Sequence, residues 1–374
     1  MNVSKWFARY LGLLLCVAPM AWAGEEPIKA FSIDFNWGPG GDNAFAGPGH
    51  WADAEPAAHV AWYEGLGVNT IQTFAVSCNG YAWYKNGKVP EQPGLKHDFL
   101  PEMVRLGHER GMRVMAYFCV GANTRWSKEH PEQSYGAEAD FNLIMTDEYL
   151  DYLTMAIEEA ITLTGIDGFM IDWVWNPFRA RESQAQGKWM DAEKALFEQV
   201  MGIPFPGEDN LADEQYLAYS RKNIERVWTR IRNAAKSAKP DCIIWLSCFD
   251  VSHPSVVDSL MFREVDWLMN EDPHPEKLKA PQDAGTPRQR LLQCLVGWGD
   301  QHDAYAAVTN PDSPTRDFYG FSKPGPSSLP LPIARYRSQP IDAFEGNDKN
   351  IATLVRYFNG ELDAPEDAPP QTRN

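Results

Sequence analysis

The alternation of short apolar runs with longer helical stretches is the feature that most constrains the fold of this chain. From Phe31 to Met269, apolar runs of β character are separated by stretches whose apolar residues recur at helical spacing. Parallel strands need long crossover connections, which are usually helices, and strand–helix units therefore produce this alternation. The pattern predicts an α/β fold built on a parallel sheet.

Six strand–helix units follow one another at intervals of roughly 35–50 residues, which is typical of barrels with long loops. This spacing favours a (β/α)8 barrel, a TIM barrel forming one catalytic domain over residues 24–360, followed by a frayed Pro-rich and acidic tail over residues 361–374. No Gly-x-Gly-x-x-Gly turn follows the first strand, which disfavours an open dinucleotide-binding sheet. The predicted strands are 31–36, 67–74, 112–118, 168–172, 242–247 and 265–269, and the predicted helices are 57–65, 98–110, 146–163, 212–238, 287–298 and 347–358, with strands seven and eight unassigned between 303 and 346.

The composition argues against several classes of protein. The 374 residues include 34 Lys and Arg against 51 Asp and Glu, which gives a formal net charge of −17. Affinity for nucleic acid rests mainly on Lys and Arg neutralising phosphates, so neither nucleic acid nor an anionic membrane is an expected partner. With 14 Trp, 14 Tyr, 18 Phe and only 23% charged residues, the chain is expected to fold rather than to be disordered.

The N-terminus has the pattern of a secretory signal peptide. Lys5 and Arg9 precede an apolar run over residues 11–22, and residues 21–23 read Ala-Trp-Ala, which provides small residues before a cleavage site. The apolar run has only about 12 residues, whereas a membrane span needs roughly 20. Residues 1–23 are therefore predicted to be removed, which leaves a secreted or periplasmic protein without a membrane segment.

Five of the six cysteines lie beyond the predicted cleavage site, and an odd number cannot pair completely. Cys119 and Cys248 lie in or at the ends of apolar runs, where cysteine behaves as a small buried apolar residue. The chain has no Cys-x-x-Cys, no His-Glu-x-x-His and no Cys/His ladder. The sequence therefore predicts no disulfide scaffold, no metal and no other cofactor.

Polar and aromatic residues follow the predicted strands at their C-terminal ends. In (β/α)8 barrels catalytic residues lie at this face, because the loops after the strands converge there. Asp34 begins the polar and aromatic run in which the first strand ends, Asp172 ends the fourth strand, and Glu271 and Asp272 follow the sixth. Trp rings near such carboxylates match a sugar, which has apolar faces and a rim of hydroxyl groups. A carbohydrate is therefore the expected substrate.

Asp172 is the strongest candidate for a catalytic residue. It follows three apolar strand residues, where a carboxylate is costly unless it is paired or faces the barrel mouth. A retaining glycosidase needs a second carboxyl group, an acid/base, roughly 5–5.5 Å from the nucleophile. Glu271 and Asp272 are both candidates for that role. Asp34 and Asp250 are further candidates, and Asp34 has the alternative role of orienting a substrate hydroxyl.

The residues expected to line the sugar site carry aromatic rings or hydrogen-bonding groups near the ends of the first four predicted strands. An alternative role for the aromatic residues among them is packing of the loops. The expected sugar-binding residues are Asp34, Asn36, Trp37, Asn79, Tyr81, Tyr117, Trp173 and Trp175.

Several motifs resemble the α-L-fucosidase family of retaining glycosidases. Residues 35–39 read Phe-Asn-Trp-Gly-Pro, which is similar to the family's Phe-His-Trp-Gly motif at the first strand. Residues 76–81 read Val-Ser-Cys-Asn-Gly-Tyr, where the family has Lys-His-His-Asp-Gly-Phe. Residues 98–117 resemble the family's third unit, and residues 149–175 resemble the stretch that holds its nucleophilic aspartate. The resemblance extends from about residue 31 to residue 360.

The resemblance implies a (β/α)8 barrel and a retaining mechanism with Asp172 as the nucleophile. It does not choose between Glu271 and Asp272, because the position of the acid/base varies within the family. Asn36 replaces a histidine of the family, and residues 77–78, Ser and Cys, replace a histidine pair that holds the fucose hydroxyls. Cys hardly forms hydrogen bonds, so the resemblance supports the barrel and the nucleophile more strongly than the sugar.

The sequence thus predicts a secreted, α-L-fucosidase-like glycoside hydrolase that acts by a retaining mechanism. The main alternative is a non-catalytic glycan-binding barrel that keeps the cleft but has lost its acid/base. A weaker alternative is a metal-dependent hydrolase that uses Asp34, Asp172 and histidines. The expected partner is a carbohydrate, with no nucleic acid and no membrane once the signal peptide is removed.

Overall fold

The computed structural model of the protein describes residues 26–38, 45–136, 143–174, 189–283, 289–297 and 301–362. The predicted signal peptide, the predicted tail beyond residue 362 and the sugar-site candidate Trp175 lie outside these residues. Over the described ranges, no helix combines the length and the apolar composition needed to cross a membrane.

Eight parallel strands close into a barrel, in which each strand pairs with its neighbours in sequence and the first pairs with the last. Helices connect the strands and surround the barrel. This is a (β/α)8 architecture, so the predicted fold class is confirmed. The strands are β1 Lys29–Ile33, β2 Thr70–Gln72, β3 Arg113–Cys119, β4 Gly168–Asp172, β5 Ile243–Cys248, β6 Trp267–Asn270, β7 Arg290–Val296 and β8 Asp317–Ser322.

Several helices begin at a side-chain cap, and some end at a glycine with a positive φ. In the helix Asp147–Thr164, the Thr146 hydroxyl accepts a hydrogen bond from the N–H of Tyr149 at 3.2 Å, and Gly165 ends the helix with a φ of 73°. The helices are α1 Pro56–Leu66, α2 Phe99–His108, α3 Thr124–Glu129, α4 Asp147–Thr164, α5 Asp191–Met201, α6 Asp213–Ala238, α7 Leu260–Glu264, α8 Lys279–Asp283, α9 Ala304–Thr309, α10 Ile333–Ser338 and α11 Gly346–Phe358.

The predicted helix at 287–298 is wrong, because this segment contains strand β7. A short apolar run fits a buried strand as well as a buried helix, and its periodicity alone does not distinguish them. The unassigned stretch after it contains β8, whose first residue, Asp317, is charged. Arg290 of β7 donates a hydrogen bond from Nε to Asp317 Oδ2 at 2.7 Å. This largely buried ion pair joins the two strands that the sequence pattern did not reveal.

The inside of the barrel is filled by side chains at alternate strand positions. The Trp245 ring lies 5.4 Å from the Trp267 ring and 5.1 Å from the Tyr319 ring, measured between centroids. The Tyr319 hydroxyl donates a hydrogen bond to Gln72 Oε1 at 2.9 Å. These side chains close the barrel from within, which leaves its C-terminal mouth as the place for a site.

The described cysteines belong to the apolar core. Cys78, Cys119, Cys242, Cys248 and Cys294 are all buried, and none of these five forms a disulfide. Burial raises the pKa of the Cys78 and Cys248 thiols well above the usual range, so these thiols stay protonated at neutral pH. They act as small apolar residues of the core.

Candidate active site

A cleft opens at the C-terminal mouth of the barrel. Its empty volume, including the open mouth, is about 450 Å³. The polar groups that line it at or near the strand ends include those of Asp34, Tyr117, Asp172, Ser247 and Glu271.

Strand alternation directs these polar groups to the inner face of the barrel. Side chains two residues apart on a strand point to the same side. Asp172 lies two residues after Met170, Glu271 lies two residues after Met269, and all four line the cleft. Because β5 lies between β4 and β6, the inward-facing Ser247 lies between the two carboxyl groups.

Three hydrogen-bonding groups act on the carboxylate of Asp172. The Tyr117 hydroxyl donates to Oδ2 at 2.9 Å, and the N–H of Trp173 donates to Oδ1 at 2.8 Å. The Ser247 hydroxyl is the third partner. Burial raises the pKa of Asp172 to about 6, and the three contacts limit this rise because they stabilise the charged form. Asp172 is therefore mostly ionised at neutral pH.

Glu271 has the opposite protonation state at neutral pH. Its Oε2 lies 3.3 Å from Ser247 Oγ. Burial raises the pKa of Glu271 to about 8, and the negative charge of Asp172 contributes to the rise because two close carboxylates resist double ionisation. Two carboxyl groups whose pKa values are pushed apart in this way are able to act as an acid and a nucleophile in one site.

Asp272 lies next to Glu271 in sequence but turns away from the cleft. Adjacent residues on an extended backbone point to opposite faces. The buried Asp272 side chain accepts hydrogen bonds from Lys277 Nζ at 2.7 Å and from the N–H of His274 at 2.9 Å. The structure therefore brings Glu271, and not Asp272, together with Asp172.

Asp34 provides a third carboxyl group in the cleft. It accepts hydrogen bonds from the N–H of Asn36 at 2.9 Å and from Trp37 Nε1 at 3.0 Å. Burial raises the pKa of Asp34 to about 7, with a smaller increase from the charge of Asp172 and an opposing effect of Lys323. The two donors fix the orientation of this carboxyl group, which keeps hydrogen-bonding capacity toward the cleft.

Trp37 and Trp173 line the cleft, and the Phe45 ring packs against both, so that the three rings form an aromatic wall. The Phe45 ring centroid lies 5.4 Å from that of Trp37 and 5.6 Å from that of Trp173. Lys323 Nζ lies 5.7 Å from the Trp37 ring centroid. Trp173 has a φ of 56°, in the left-handed region that is costly for residues other than glycine. This backbone turn brings the Trp173 ring to the cleft directly after Asp172.

The remaining sugar-site candidates differ in position. Asn36 lines the cleft, and its Oδ1 accepts a hydrogen bond from the N–H of Cys78 at 2.8 Å. Asn79 is buried, and its Nδ2 donates to Gln92 Oε1 at 3.2 Å. Neither Asn79 nor Tyr81 is among the residues that line the cleft. The structure therefore brings Asn36 to the cleft, but not Asn79 or Tyr81.

Asp250, a further candidate from the sequence, also lies outside the cleft lining. Its carboxylate accepts hydrogen bonds from the N–H and the hydroxyl of Ser252 at 3.1 and 2.6 Å, as in a local turn. Among the residues that the structure describes, no three or more His, Cys, Asp or Glu side chains form a group that could hold a metal ion. The metal-dependent alternative therefore lacks a ligand set in these parts of the chain.

The sequence-based set of site residues omits Ser247, Gln72 and Tyr319, which line the cleft. Gln72 and Tyr319 come from deep in the barrel, where long-range pairing decides which side chains face inward. For Ser247 a signal was available, because it ends an apolar strand in the same alternation as Asp172 on the preceding strand. The same alternation, counted from Met269, distinguishes the two acidic residues after β6.

A family model described as hypothetical glycosyl hydrolase 6 matches residues 55–173 of the chain. This segment begins just before α1 and ends at the residue after Asp172, so it includes one of the two carboxyl groups beside Ser247. No curated protein sequence matches the chain significantly.

The barrel is similar to the solved structure of alpha-L-fucosidase isoenzyme 2 from Paenibacillus thiaminolyticus, with a TM-score of 0.63 and 14% identity over 89% of this chain and 49% of that chain. The chain thus spans about half the length of that protein. An Anoxybacillus alpha-amylase has a TM-score of 0.47 and 13% identity over 88% of this chain and 78% of that chain. A Thermotoga maritima alpha-fucosidase in complex with fucose has a TM-score of 0.42 and 11% identity over 82% of this chain and 56% of that chain.

These findings agree with the resemblance that the sequence motifs indicate. At 14% identity the similarity to the Paenibacillus protein is evidence for the fold alone. The family match is independent of that similarity and comes from the sequence of residues 55–173. The resemblance is therefore confirmed to this extent: part of the chain matches a glycosyl hydrolase family model, and the barrel has the fold of an α-L-fucosidase.

Proposed function

We propose that this protein is a retaining glycoside hydrolase, in which Asp172 is the nucleophile and Glu271 is the general acid/base. The observation that carries the proposal is the pair of carboxyl groups on either side of Ser247, with pKa values of about 6 and about 8. The match of residues 55–173 to a glycosyl hydrolase family model supports the reaction class.

The spacing of the two carboxyl groups favours retention of the anomeric configuration. Both groups interact with the single hydroxyl of Ser247, one of them at 3.3 Å. Two oxygens within hydrogen-bonding reach of one atom lie no more than about 7 Å apart. Retaining pairs are roughly 5–5.5 Å apart, whereas inverting pairs are roughly 6.5–9.5 Å apart because a water molecule must fit between nucleophile and sugar. The upper limit includes the whole retaining range and only the lower edge of the inverting range, so the spacing agrees with the retaining mechanism that the resemblance implies.

In the first step, Asp172 attacks the anomeric carbon and the bond from this carbon to the leaving oxygen breaks. Glu271 transfers its proton to that oxygen, so the leaving group departs as an alcohol. The pKa of about 8 keeps this proton in place at neutral pH until it is needed. The products of the step are a glycosyl ester on Asp172 and an ionised Glu271.

In the second step, the ionised Glu271 removes a proton from a water molecule, and the water oxygen attacks the anomeric carbon. The ester bond to Asp172 breaks, and Asp172 leaves as a carboxylate. Glu271 is protonated again and the sugar is released with its original configuration. Two displacements at the same carbon account for the retention.

Sugar binding is assigned to Asp34, Asn36, Trp37, Tyr117 and Trp173. The aromatic wall provides a surface for the apolar face of a sugar ring. The carboxyl group of Asp34, held by two donors, is oriented to hydrogen-bond ring hydroxyls. Burial strengthens these contacts, because water competes less for the same groups.

An α-L-fucoside is the first substrate to test, since the Paenibacillus protein with this fold is an α-L-fucosidase. The chain departs from the motif of that family at Ser77 and Cys78. Both are buried, and the Ser77 hydroxyl accepts a hydrogen bond from Trp83 Nε1 at 2.6 Å. Contacts that the family takes from histidines would have to come from other residues here, so related deoxy or neutral sugars belong in the same screen.

Cleavage of the predicted signal peptide at 1–23 would place the enzyme in the periplasm or outside the cell. Export is part of the proposal and agrees with a polymeric or extracellular glycan as the source of substrate. N-terminal sequencing of the protein from the medium or periplasm of an expressing cell tests it.

The catalytic assignment is tested with a panel of aryl glycosides that includes the α-L-fucoside. Asp172→Gly should lower turnover by about 10³-fold or more, since the nucleophile is lost. Added azide should restore cleavage and yield a glycosyl azide of inverted configuration, because azide takes the place of the carboxylate. Full turnover by Asp172→Gly on every substrate that the wild type cleaves would contradict the assignment.

Asp272→Asn is the matched control, because Asp272 is a buried carboxylate next to the proposed acid/base but outside the cleft lining. It should keep turnover within a few-fold of wild type, whereas Glu271→Gln should lose activity on substrates with poor leaving groups. Binding of glycans without turnover by the wild type across the panel would instead support the non-catalytic alternative.

A further inference from the structure

Ser247 is placed to act on both proposed catalytic carboxyl groups, and no feature of the two-step mechanism so far uses it. It lies at the end of β5, buried, between the strand that carries Asp172 and the strand that precedes Glu271. Its Oγ lies at a hydrogen-bonding distance of 3.3 Å from Glu271 Oε2. Its side chain also lies beside that of Asp172, because Leu246 pairs with Ile171 in the register of β4 and β5 and both Ser247 and Asp172 line the cleft.

A serine hydroxyl has one hydrogen to donate and two lone pairs that accept. It therefore donates to only one carboxyl group at a time, although it contacts two. When Asp172 is ionised and Glu271 is protonated, both contacts are satisfied if Glu271 donates its proton to Ser247 Oγ and Ser247 donates to Asp172. When both groups are ionised, one of them lacks a donor from this hydroxyl.

We propose that Ser247 is a positioning residue whose hydroxyl donates to Asp172 in the free enzyme and turns to Glu271 once Asp172 is esterified. The inference rests on the proposed function for its place in the catalytic cycle. After the first step the ester oxygens of Asp172 are neutral and weak acceptors, whereas Glu271 has lost its proton and is an anion. The hydroxyl donates to whichever carboxyl group is ionised, because hydrogen bonds to ionised groups are stronger than those to neutral groups.

The contacts of each carboxyl group support this order. Asp172 has further donors in the Tyr117 hydroxyl and the N–H of Trp173, at 2.9 and 2.8 Å, which favour its ionised form before the first step. Ser247 is the only residue whose hydrogen-bonding group the described structure places against both Asp172 and Glu271. Glu271 thus depends on Ser247 for a donor when it becomes charged.

The test measures the two carboxyl groups directly and needs no turnover. The protein is labelled with ¹³C at the side-chain carboxyl carbons of Asp and Glu, and the two signals are assigned from Asp172→Asn and Glu271→Gln. In Ser247→Ala, we expect the proton dissociation constant of Asp172 to fall about tenfold, since a hydrogen bond to its charged form is lost. The dissociation constant of Glu271 should change much less, because the Ser247 hydroxyl donates to Asp172 when Asp172 is ionised.

The decisive comparison uses the Asp172→Asn background, in which residue 172 is neutral as it is in the ester. There, Ser247→Ala should lower the dissociation constant of Glu271 about tenfold. An equal effect on Glu271 in both backgrounds, or no effect on either carboxyl group, would overturn the proposal.

Two further variants separate the hydroxyl from packing. Ser247→Thr keeps a hydroxyl and should keep the wild-type constants, whereas Ser247→Val has nearly the same shape as Thr and should behave like Ser247→Ala. Ser77→Ala removes another buried serine hydroxyl, one that accepts from Trp83, and should leave both constants unchanged. Shifted constants in a protein that cleaves no glycoside would refute the proposed function alone, and turnover with unshifted constants would refute the role of Ser247 alone.

Discussion

Removal of the Tyr117 hydroxyl is the clearest perturbation of the proposed nucleophile. This hydroxyl donates to Asp172 Oδ2 at 2.9 Å, so it stabilises the ionised carboxylate and lowers its pKa. A hydrogen bond to a charged group contributes about 1.5–3 kcal/mol. The lower value applies here because two other partners remain, and it corresponds to about one pKa unit. Tyr117→Phe should therefore move the pKa of Asp172 from about 6 to roughly 7.

The assay is the pH dependence of kcat/KM for an activated aryl glycoside. The acid limb of this profile reports the ionisation of the nucleophile in the free enzyme. It should move to higher pH by about one unit in Tyr117→Phe, so that the ratio of activity at pH 5 to activity near pH 8 falls about tenfold, whatever the loss of a sugar contact does to both values. The alkaline limb, which belongs to Glu271, should remain near its original position.

Tyr149→Phe is the matched control for this experiment. Tyr149 is also buried, and its hydroxyl donates to the backbone carbonyl of Val120 at 2.8 Å rather than to a carboxylate. The Tyr149→Phe variant loses the same hydroxyl oxygen as Tyr117→Phe, together with one hydrogen bond of similar length. An acid limb that stays in place in Tyr117→Phe, or that moves equally in the Tyr149 variant, would refute the reasoning.

Three other variants test separate parts of the structure. The pKa of Glu271 is about 8 in the folded protein against 4.5 for an ordinary Glu, so the folded state binds this proton more tightly and loses stability as the pH rises from about 4.5 to about 8. Glu271→Gln should remove that loss and raise the free energy of unfolding at pH 8 by about 2 kcal/mol in urea titrations, after allowance for screening in the open cleft; an unchanged or lower value would contradict the burial argument. Trp173→Ala should raise KM about tenfold with a smaller change in kcat, because a stacking surface is lost, and an unchanged KM would exclude this ring from the sugar site. Asp317→Asn should lower the free energy of unfolding by about 3 kcal/mol, because it removes the negative charge that pairs with the largely buried guanidinium of Arg290, and a loss below 1 kcal/mol would show that the ion pair is not needed to join β7 and β8.

Most of the barrel was predictable because local patterns specify its first six units. The predicted strand over residues 168–172 coincides with β4, and the predicted helix over residues 146–163 corresponds to α4, which Thr146 caps and Gly165 ends. These elements depend on hydrophobic spacing and capping within a few residues. Such signals do not depend on residues far away in the sequence.

The last strands could not be predicted in the same way, because their identity depends on partners far away in sequence. β8 begins with a charged residue, which argues against a buried strand until Arg290 on β7 is known to lie beside it. The apolar run of β7 fits a helix equally well. Only closure of the sheet, with β8 paired to β1, decides between the two.

The candidate site was predictable in part for the same physical reason. Asp34, Asp172 and Glu271 lie at strand ends, and a barrel brings all strand ends to one mouth. The choice between Glu271 and Asp272 depends on which residues of β6 face the inside of the barrel. Asn79 appeared equivalent to Asn36 in sequence, but the loop after β2 buries it against Gln92 instead.

The left-handed backbone at Trp173 limits which sequences can occupy this position. Its φ of 56° suits Gly, Asn or Asp, and is most unfavourable for β-branched residues. Its N–H also donates to Asp172, so a change of backbone conformation here would move a donor away from the carboxylate. A library of variants at residue 173 would therefore sample few tolerated side chains, whereas one at Trp37, on the other side of the aromatic wall, would not meet this restriction. Redesign of sugar preference is accordingly more accessible from the β1 side of the cleft than from the β4 side.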